Sequence, residues 1–353
     1  MNQPSERPSI AAASAVAGQT PQTVAVLNAG GWGTALAVKL ANQGHDVRLW
    51  ARRPDQAELI GAERENKGYL PYVVIPPTVR VTSSLAEATE RVDAVVIAVI
   101  ARYMRDMASQ LAPFVRPGML VIHGTKGLEP GSWRRASVVL QERMQGADAP
   151  SVAVLAGPNH AEEVARGLPT AAVVACADAA SARRLQQLLN TAAFRVYTNS
   201  DVAGVELCGA AKNVIAIAAG IGDGLGYGDN SKAALITRAL AEIWRLVERH
   251  GGAFATVAGL AGVGDVIATC TSRHSRNRWA GEQIGRGRSP EDVIASTPMA
   301  IEGIPSTRAM VALAEASGVE LPICEGVYRV LFRGQRPDEA LRDLMARDST
   351  AEG

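Results

Sequence analysis

Apolar residues follow two successive patterns along this chain. Between residues 23 and about 200, short β-branched runs at 23–27, 45–50, 79–82, 94–99, 119–123, 152–155, 171–175 and 194–197 alternate with stretches of helical spacing. Runs of that length, bounded by turn residues, read as buried strands, and strand–helix alternation predicts a parallel sheet with helices on its faces. After residue 201 the strands cease. Helical periodicity takes over at 204–221, 231–249, 253–259, 277–285, 307–317 and 337–346, with Gly222-Asp223-Gly224, Gly226-Tyr227-Gly228 and Gly251-Gly252 as breakers. The expected organisation is α/β over 23–200, all-α over 201–346, and tails at 1–22 and 347–353.

The first 22 residues, rich in Ser, Ala, Pro and Gln, are expected to form a disordered tail. Their weakly apolar stretch at 10–18 lacks the leucine-rich core and basic start of a signal peptide. A membrane span is not expected, because no run of about 18 strongly apolar residues is evident.

Composition narrows the function classes. With 353 residues, 47% hydrophobic and 20% charged, the chain suits a two-domain globular protein. A net charge of +1 gives no overall attraction to nucleic acid or anionic membranes, so phosphate must be held by a local cluster, which points to small ligands. Cys176, Cys208, Cys270 and Cys324 are widely spaced and the histidines unclustered, so no metal site is expected and the thiols read as reduced and buried, as in a cytoplasmic protein.

Candidate chemistry starts at the first strand–turn–helix unit, Asn28-Ala29-Gly30-Gly31-Trp32-Gly33. In a Rossmann-type dinucleotide fingerprint, GxGxxG, the glycines serve the tight turn, the approach of the pyrophosphate and the packing of helix on sheet. Gly30 and Gly33 fill the second and third places. Asn28 stands in the first; asparagine tolerates left-handed backbone angles, but its side chain is expected to crowd the turn. The second strand ends in Arg52-Arg53 rather than an acid, which suits a 2′-phosphate or two solvated surface charges.

The loops after two later strands, with Lys126 in one and Gly157, Asn159 and His160 in the other, should face the same crevice. His160 is read as supporting structure. In the helical half, Lys212 lies within GVELCGAAKNVIAIAAGIGD, a buried apolar helix where an ammonium is costly unless paired. It either snorkels to water or serves as a proton donor. Gly262-Val263-Gly264-Asp265 places a carboxylate after a glycine-rich turn, the natural partner for Lys212, and residues 272–278, SRHSRNR, concentrate phosphate-binding donors.

The segments GWGTALA, HDVRLWAR, NKGYLP, GTKGLEP, the stretch from Phe194 to Arg238 and GLAGVGDVIATCTSRHSRNR resemble bacterial NAD(P)-dependent glycerol-3-phosphate dehydrogenases from about Thr23 to Met345. The resemblance implies a Rossmann domain followed by an all-α substrate domain in a cytoplasmic homodimer. It implies reversible reduction of dihydroxyacetone phosphate to sn-glycerol 3-phosphate for glycerophospholipid synthesis, with NADP or NAD. Carried over by position, Lys212 is the general acid/base, with Lys126 and Asp265 beside it. Substrate contacts fall at Lys126, Gly157, Asn159, Lys212, Asn213, Asp265, Ser275, Arg276 and Asn277. Cofactor contacts fall at Asn28, Gly30, Gly31, Trp32, Gly33, Arg52, Arg53, Lys126, Ala161, Arg276, Ala300 and Glu302. The chain departs from the family at Asn28, at Asn159, where Ser or Thr is usual, and at Pro305. Two other readings stand beside this one: a related Rossmann dehydrogenase acting on another small ketone or hydroxy acid, and a non-catalytic NAD(P)-binding protein.

Overall fold

A computed structural model describes residues 20–146, 149–297 and 299–347. Most of the expected N-terminal tail and all but the first residue of the C-terminal one lie outside these. The first half holds strands β1 (Thr23–Leu27), β2 (Asp46–Trp50), β3 (Glu65–Asn66), β4 (Leu70–Val74), β5 (Arg80–Thr82), β6 (Ala94–Ile97), β7 (Leu120–His123), β8 (Val152–Ala156), β9 (Thr170–Ala175) and β10 (Phe194–Asn199). Between them lie α1 (Gly31–Asn42), α2 (Pro54–Glu63), α3 (Leu85–Thr89), α4 (Met104–Leu111), α5 (Ala136–Arg143), α6 (Ala161–Ala165) and α7 (Ala179–Leu189).

The eight-stranded sheet has the order β10-β9-β8-β7-β6-β1-β2-β5. From β5 through β1 to β8 this is the doubly wound Rossmann order, with the switch point between β1 and β6. Its central strands β1, β6, β7 and β8 are buried on both faces: Val24, Ala25, Val26 and Leu27 are all inaccessible, and two apolar clusters cover the faces.

The expected parallel sheet is parallel at every pairing but one. β9 pairs antiparallel with β8, and β10 runs parallel to β9. The link between β8 and β9 carries only the five-residue α6, rising about 7 Å, less than half of what a return along a strand requires. The chain therefore re-enters the sheet from the edge it has just left. A hairpin of β3 and β4, not expected from the sequence, folds over the first turn; Asn66 Nδ2 donates to Ala29 O at 2.9 Å and to Thr34 Oγ1 at 2.8 Å.

The second half is helical: α8 (Val202–Gly224), α9 (Asp229–Arg249), α10 (Phe254–Val257), α11 (Asp265–Thr271), α12 (Arg276–Gly285), α13 (Pro290–Ala295), α14 (Gly303–Ser317), α15 (Pro322–Phe332) and α16 (Pro337–Met345). Around α8 pack α9, α10, α11, α12, α14 and α15, and its inner residues share an apolar cluster with Val154 and Ala156 of β8 and Val173 and Ala175 of β9. By length and composition α8 and the segment Phe254–Thr271 would suffice to cross a membrane, contrary to the expectation that no such run exists. For α8 the apolarity is that of a core helix: 83% of its most apolar window is buried.

Two local features set the position of the site. Asp201 caps α8, accepting from Gly204 N at 2.7 Å and from Ala253 N at 2.8 Å. Because β10 ends at the edge where β8 begins, α8 starts there and climbs about 16 Å over the residues from Asp201 to Lys212, close to the length of a five-residue strand. That brings Lys212 level with the loops at the opposite edge. Across α8 runs α12, and the approach is so close that a Cβ on Gly220 would overlap the Arg278 carbonyl and one on Gly281 the Ile217 carbonyl. This crossing seats the start of α12 against Asn213.

Candidate active site

Two turns flank the switch point. Asn28 has φ 94°, the left-handed conformation that asparagine accepts more readily than other non-glycine residues. Its side chain does not merely crowd the turn, as expected, but closes it: Nδ2 donates to Ala98 O at 2.9 Å, bridging the ends of β1 and β6. A Cβ on Gly33 would overlap the Asn28 carbonyl, and one on Gly31 would lie 2.9 Å from Tyr69 O and 4.0 Å from Ala161 Cβ. Gly31, Ala161 and the hairpin are thus brought together over the start of α1. That helix has no side-chain cap and no acid in its first turn, an arrangement that leaves room for phosphate oxygens at its N-terminus.

Trp32 Nε1 is a buried donor without a protein partner among the described residues, and its indole lies against Gly124, where a Cβ would come within 2.5 Å. A cradle of glycines beside an unpartnered donor fits a bound dinucleotide. Arg52 is exposed at the end of β2 with its guanidinium 5.2 Å from the Tyr103 ring centroid, whereas Arg53 is drawn to Asp55 at 3.4 Å.

The lysines meet about Asp265. Lys126, from the loop after β7, donates to Gly157 O at 3.2 Å, Asn159 Oδ1 at 2.8 Å and Asp265 Oδ2 at 3.0 Å. Lys212 donates to Asp265 Oδ1 at 2.5 Å and Thr269 Oγ1 at 2.9 Å. Lys212 is 4% and Asp265 2% exposed, so the alternative of a lysine snorkelling to water is closed. Burial pulls the Lys212 ammonium down to about 8, with Asp265 opposing that and Lys126 adding to it. Burial alone would raise the Asp265 carboxyl; the two ammonium groups outweigh it and hold it below the usual carboxylate range.

Asp265 opens a helix rather than following a glycine turn, which corrects the expectation for residues 262–265. The glycines at 262 and 264 lie in a widened, π-type helical turn, Leu260–Gly264, that runs straight into α11. Thr269, one turn along that helix, shares Asp265's face, and its hydroxyl lies between Asp265 and Lys212. Sequence reading missed it because the i, i+4 relation holds only if the segment is helical.

Asn213 and Asn277 are committed to each other. Asn213 Nδ2 donates to Lys126 O at 2.8 Å, its Oδ1 accepts from Asn277 Nδ2 at 2.8 Å, and Asn277 Oδ1 accepts from Gly303 N at 2.9 Å. This relay ties the lysine loop, α8, α12 and the start of α14 together. Ser275 caps α12, accepting from Arg278 N at 3.2 Å. Arg276 is exposed at the start of α12. Burial raises the Glu302 carboxyl, and Arg276, Lys212 and Lys126 pull it down, which places Glu302 on the same site. Ala300 lies in the segment ahead of α14. Asn159 Nδ2, like Trp32 Nε1, is a buried donor without a protein partner among the described residues. His160 approaches Ala268 O at 3.5 Å, in keeping with a supporting role, and burial followed by the two lysines holds its imidazole below the ordinary range. All four cysteines are buried and free.

The arrangement sets two ammonium groups on one shared carboxylate beside a glycine-rich turn at the start of α1. Residues 23–182 match the family model for the NAD-dependent glycerol-3-phosphate dehydrogenase N-terminus and residues 201–342 that for its C-terminus. Among relatives, a glycerol-3-phosphate dehydrogenase [NAD(P)+] of Chlorobium limicola is 49% identical over 329 residues, covering 93% of this chain and 99% of the relative. One of Lysinibacillus sphaericus is 46% identical over 326 residues, covering 92% and 96%. Among solved structures, glycerol-3-phosphate dehydrogenase from Coxiella burnetii superposes with a TM-score of 0.88 at 38% identity, covering 93% of this chain and 99% of that one.

Proposed function

We infer the function from family membership: the chain belongs to the NAD-dependent glycerol-3-phosphate dehydrogenases, and it catalyses the reversible reduction of dihydroxyacetone phosphate to sn-glycerol 3-phosphate with NADH or NADPH. The observation that carries this reading is the convergence of Lys126 and Lys212, from the two halves of the chain, on Asp265.

The residues fit both ligands. Gly30, Gly31 and Gly33 with the start of α1 would hold the pyrophosphate, Trp32, Ala161, Arg276 and Glu302 would line the cofactor, and Arg52 would meet a 2′-phosphate where one is present. The nicotinamide, when bound, supplies the hydride. What the chain itself supplies is charge and a proton. Lys212 donates a proton to the oxygen developing negative charge at C2, and Lys126 adds a second positive group there. Asp265 holds both ammonium groups in place, and Thr269 Oγ1 fixes the direction of Lys212. Arg276, at the exposed start of α12, is the side chain placed to meet the substrate phosphate, with the helix N-terminus behind it. The unpartnered Nδ2 of Asn159 provides a further donor, in the place where the family usually has a hydroxyl.

In this reading residues 23–200 and 201–346 act as cofactor and substrate domains, and the enzyme works in the cytoplasm as a homodimer, feeding glycerophospholipid synthesis. A steady-state assay following NADPH or NADH absorbance with dihydroxyacetone phosphate, and with other small ketones in parallel, tests it. Lys212→Ala is expected to lower turnover by about 100- to 10,000-fold while cofactor affinity stays within about twofold. Preference for another ketone, or cofactor binding without turnover by the wild type, overturns the reading.

A further inference from the structure

A second buried charge, unused by the chemistry above, lies lower on α8. Glu206 is 3% exposed, and its carboxylate accepts from Ser137 N at 2.8 Å, Ser137 Oγ at 2.5 Å and Arg135 Nη1 at 2.8 Å. His123 Nε2 stands 3.3 Å from Oε1, near enough for electrostatic contact though not angled as a hydrogen bond. All three neighbours belong to the sheet-bearing half: His123 ends β7, and Arg135 and Ser137 flank the start of α5. At its own N-cap α5 has no side-chain cap. The orphan N–H of Ser137 is satisfied instead by a carboxylate reaching across from the helical half, where the helix dipole also favours it.

A buried carboxylate is a costly way to hold two surfaces together, and fixing a register is the best-attested use of such a group. Register needs fixing here. Where α8 passes the β7 exit loop it presents Gly209, which offers no side chain of its own to Lys126; a Cβ there would lie 3.9 Å from Lys126, in ordinary contact. Smooth apolar contacts tolerate sliding and rotation. Two polar groups do not. Glu206 and Asn213 are seven residues apart on α8, two turns and about 10 Å, and therefore share one face. Both grip the same stretch of the first half: Glu206 meets His123, and Asn213 donates to the carbonyl of Lys126 three residues on. With that face pinned at two heights, the next position round the helix, Lys212, has only one direction to point.

We propose that Glu206 is a positioning residue for the reaction: together with Asn213 it fixes the height and rotation of α8 against the β7 exit loop, and so aims Lys212 at Asp265 and at the substrate oxygen it shares with Lys126. Glu206 touches neither substrate nor cofactor. The proposal rests on the reading of Lys212 as proton donor and deepens it.

Glu206→Gln keeps the volume and removes the charge. On the full-length enzyme it is expected to lower kcat for dihydroxyacetone phosphate reduction by about 10- to 100-fold, as a misaimed catalytic group does. The single-turnover rate of NADPH oxidation should fall by the same factor, while the NADPH dissociation constant stays within about twofold. Ser137→Ala removes only the hydroxyl and is expected to give a smaller loss with the same separation of effects; it decides the matter should Glu206→Gln fail to fold. Folded variants with lowered Tm but wild-type single-turnover rates, or with kcat and NADPH affinity falling together, would overturn the positioning role. A wild-type enzyme that does not reduce dihydroxyacetone phosphate would instead overturn the functional reading beneath it.

Discussion

Replacing Asp265 with Asn removes the one negative charge that two ammonium groups share, and the consequence for Lys212 can be worked out. Lys212 and Lys126 contact opposite oxygens of that carboxylate at 2.5 and 3.0 Å, with side-chain exposures of 6% and 16%. Breaking a buried ion pair on one side costs about 3–5 kcal/mol, which corresponds to about two to four pH units. The more buried amine surrenders its proton first, so the Lys212 value should move from about 8 to roughly 4–6. At pH 7 the protonated fraction then falls from about nine-tenths to about one-tenth or far less. Reduction needs the ammonium, so kcat at pH 7 should drop by about 10- to 1,000-fold. The alkaline limb of the kcat profile, expected near pH 8 in the wild type, should shift into the acid range. Oxidation of sn-glycerol 3-phosphate needs the neutral amine and should suffer less at the same pH. Absorbance assays in both directions from pH 5 to 10 check this. An Asp265→Asn enzyme whose reduction limb stays near pH 8 would refute the assignment of that limb to Lys212.

Two further outcomes follow from the same geometry. Glu242 is 4% exposed, Oε1 accepts from Ile323 N at 2.8 Å, Oε2 has no hydrogen-bond partner among the described residues, and burial pushes its carboxyl up to about 7, opposed by the N–H groups at 323 and 324. Because the folded value lies above the unfolded one, the folded chain binds the extra proton; the contribution is full below about pH 4.5 and is lost as pH rises through 7, by up to about 3 kcal/mol. Glu242→Gln should therefore gain stability over the wild type in urea melts at pH 8.5 but not at pH 4.5, and parallel behaviour at both would count against it. Asn28→Gly keeps the left-handed turn and loses the bond to Ala98 O, worth about 1 kcal/mol, so NADPH should bind up to about fivefold more weakly by fluorescence titration. Tighter binding would show that the asparagine only crowds the cradle.

All the strands of the main sheet, and the change from β/α alternation to helices near residue 200, were legible because buried strands and amphipathic helices carry their own periodicities. The β3–β4 hairpin was not; its strands are two and five residues long, too short for alternation to stand out. Nor was α11. Gly262 and Gly264 read as a glycine-rich turn, but in place Gly262 is what lets the chain pass the Val257 carbonyl inside a widened helical turn, so glycine here extends a helix through a tight approach. With that helix misread, the relation between Asp265 and Thr269 had no basis.

Lys126, Lys212 and Asp265 were visible as charges placed among apolar or glycine-rich neighbours, and Asp265 as the partner of Lys212, but the geometry by which all three meet was not. What brings them together is the direction of two strands, and direction leaves no mark on hydrophobic alternation, which reads the same forwards and backwards. Had β9 and β10 run parallel to β8, the chain would have left β10 at the edge that carries the ligand loops, and α8 would have started there and carried Lys212 away from Lys126. Because they run the other way, α8 begins at the far edge, and its first three turns are spent climbing back. Those turns hold Glu206, the one carboxylate that grips the sheet-bearing half on the way. The reversal of β9 thus explains both why Lys212 lies deep within its helix rather than at an end and why a buried anchor is needed below it.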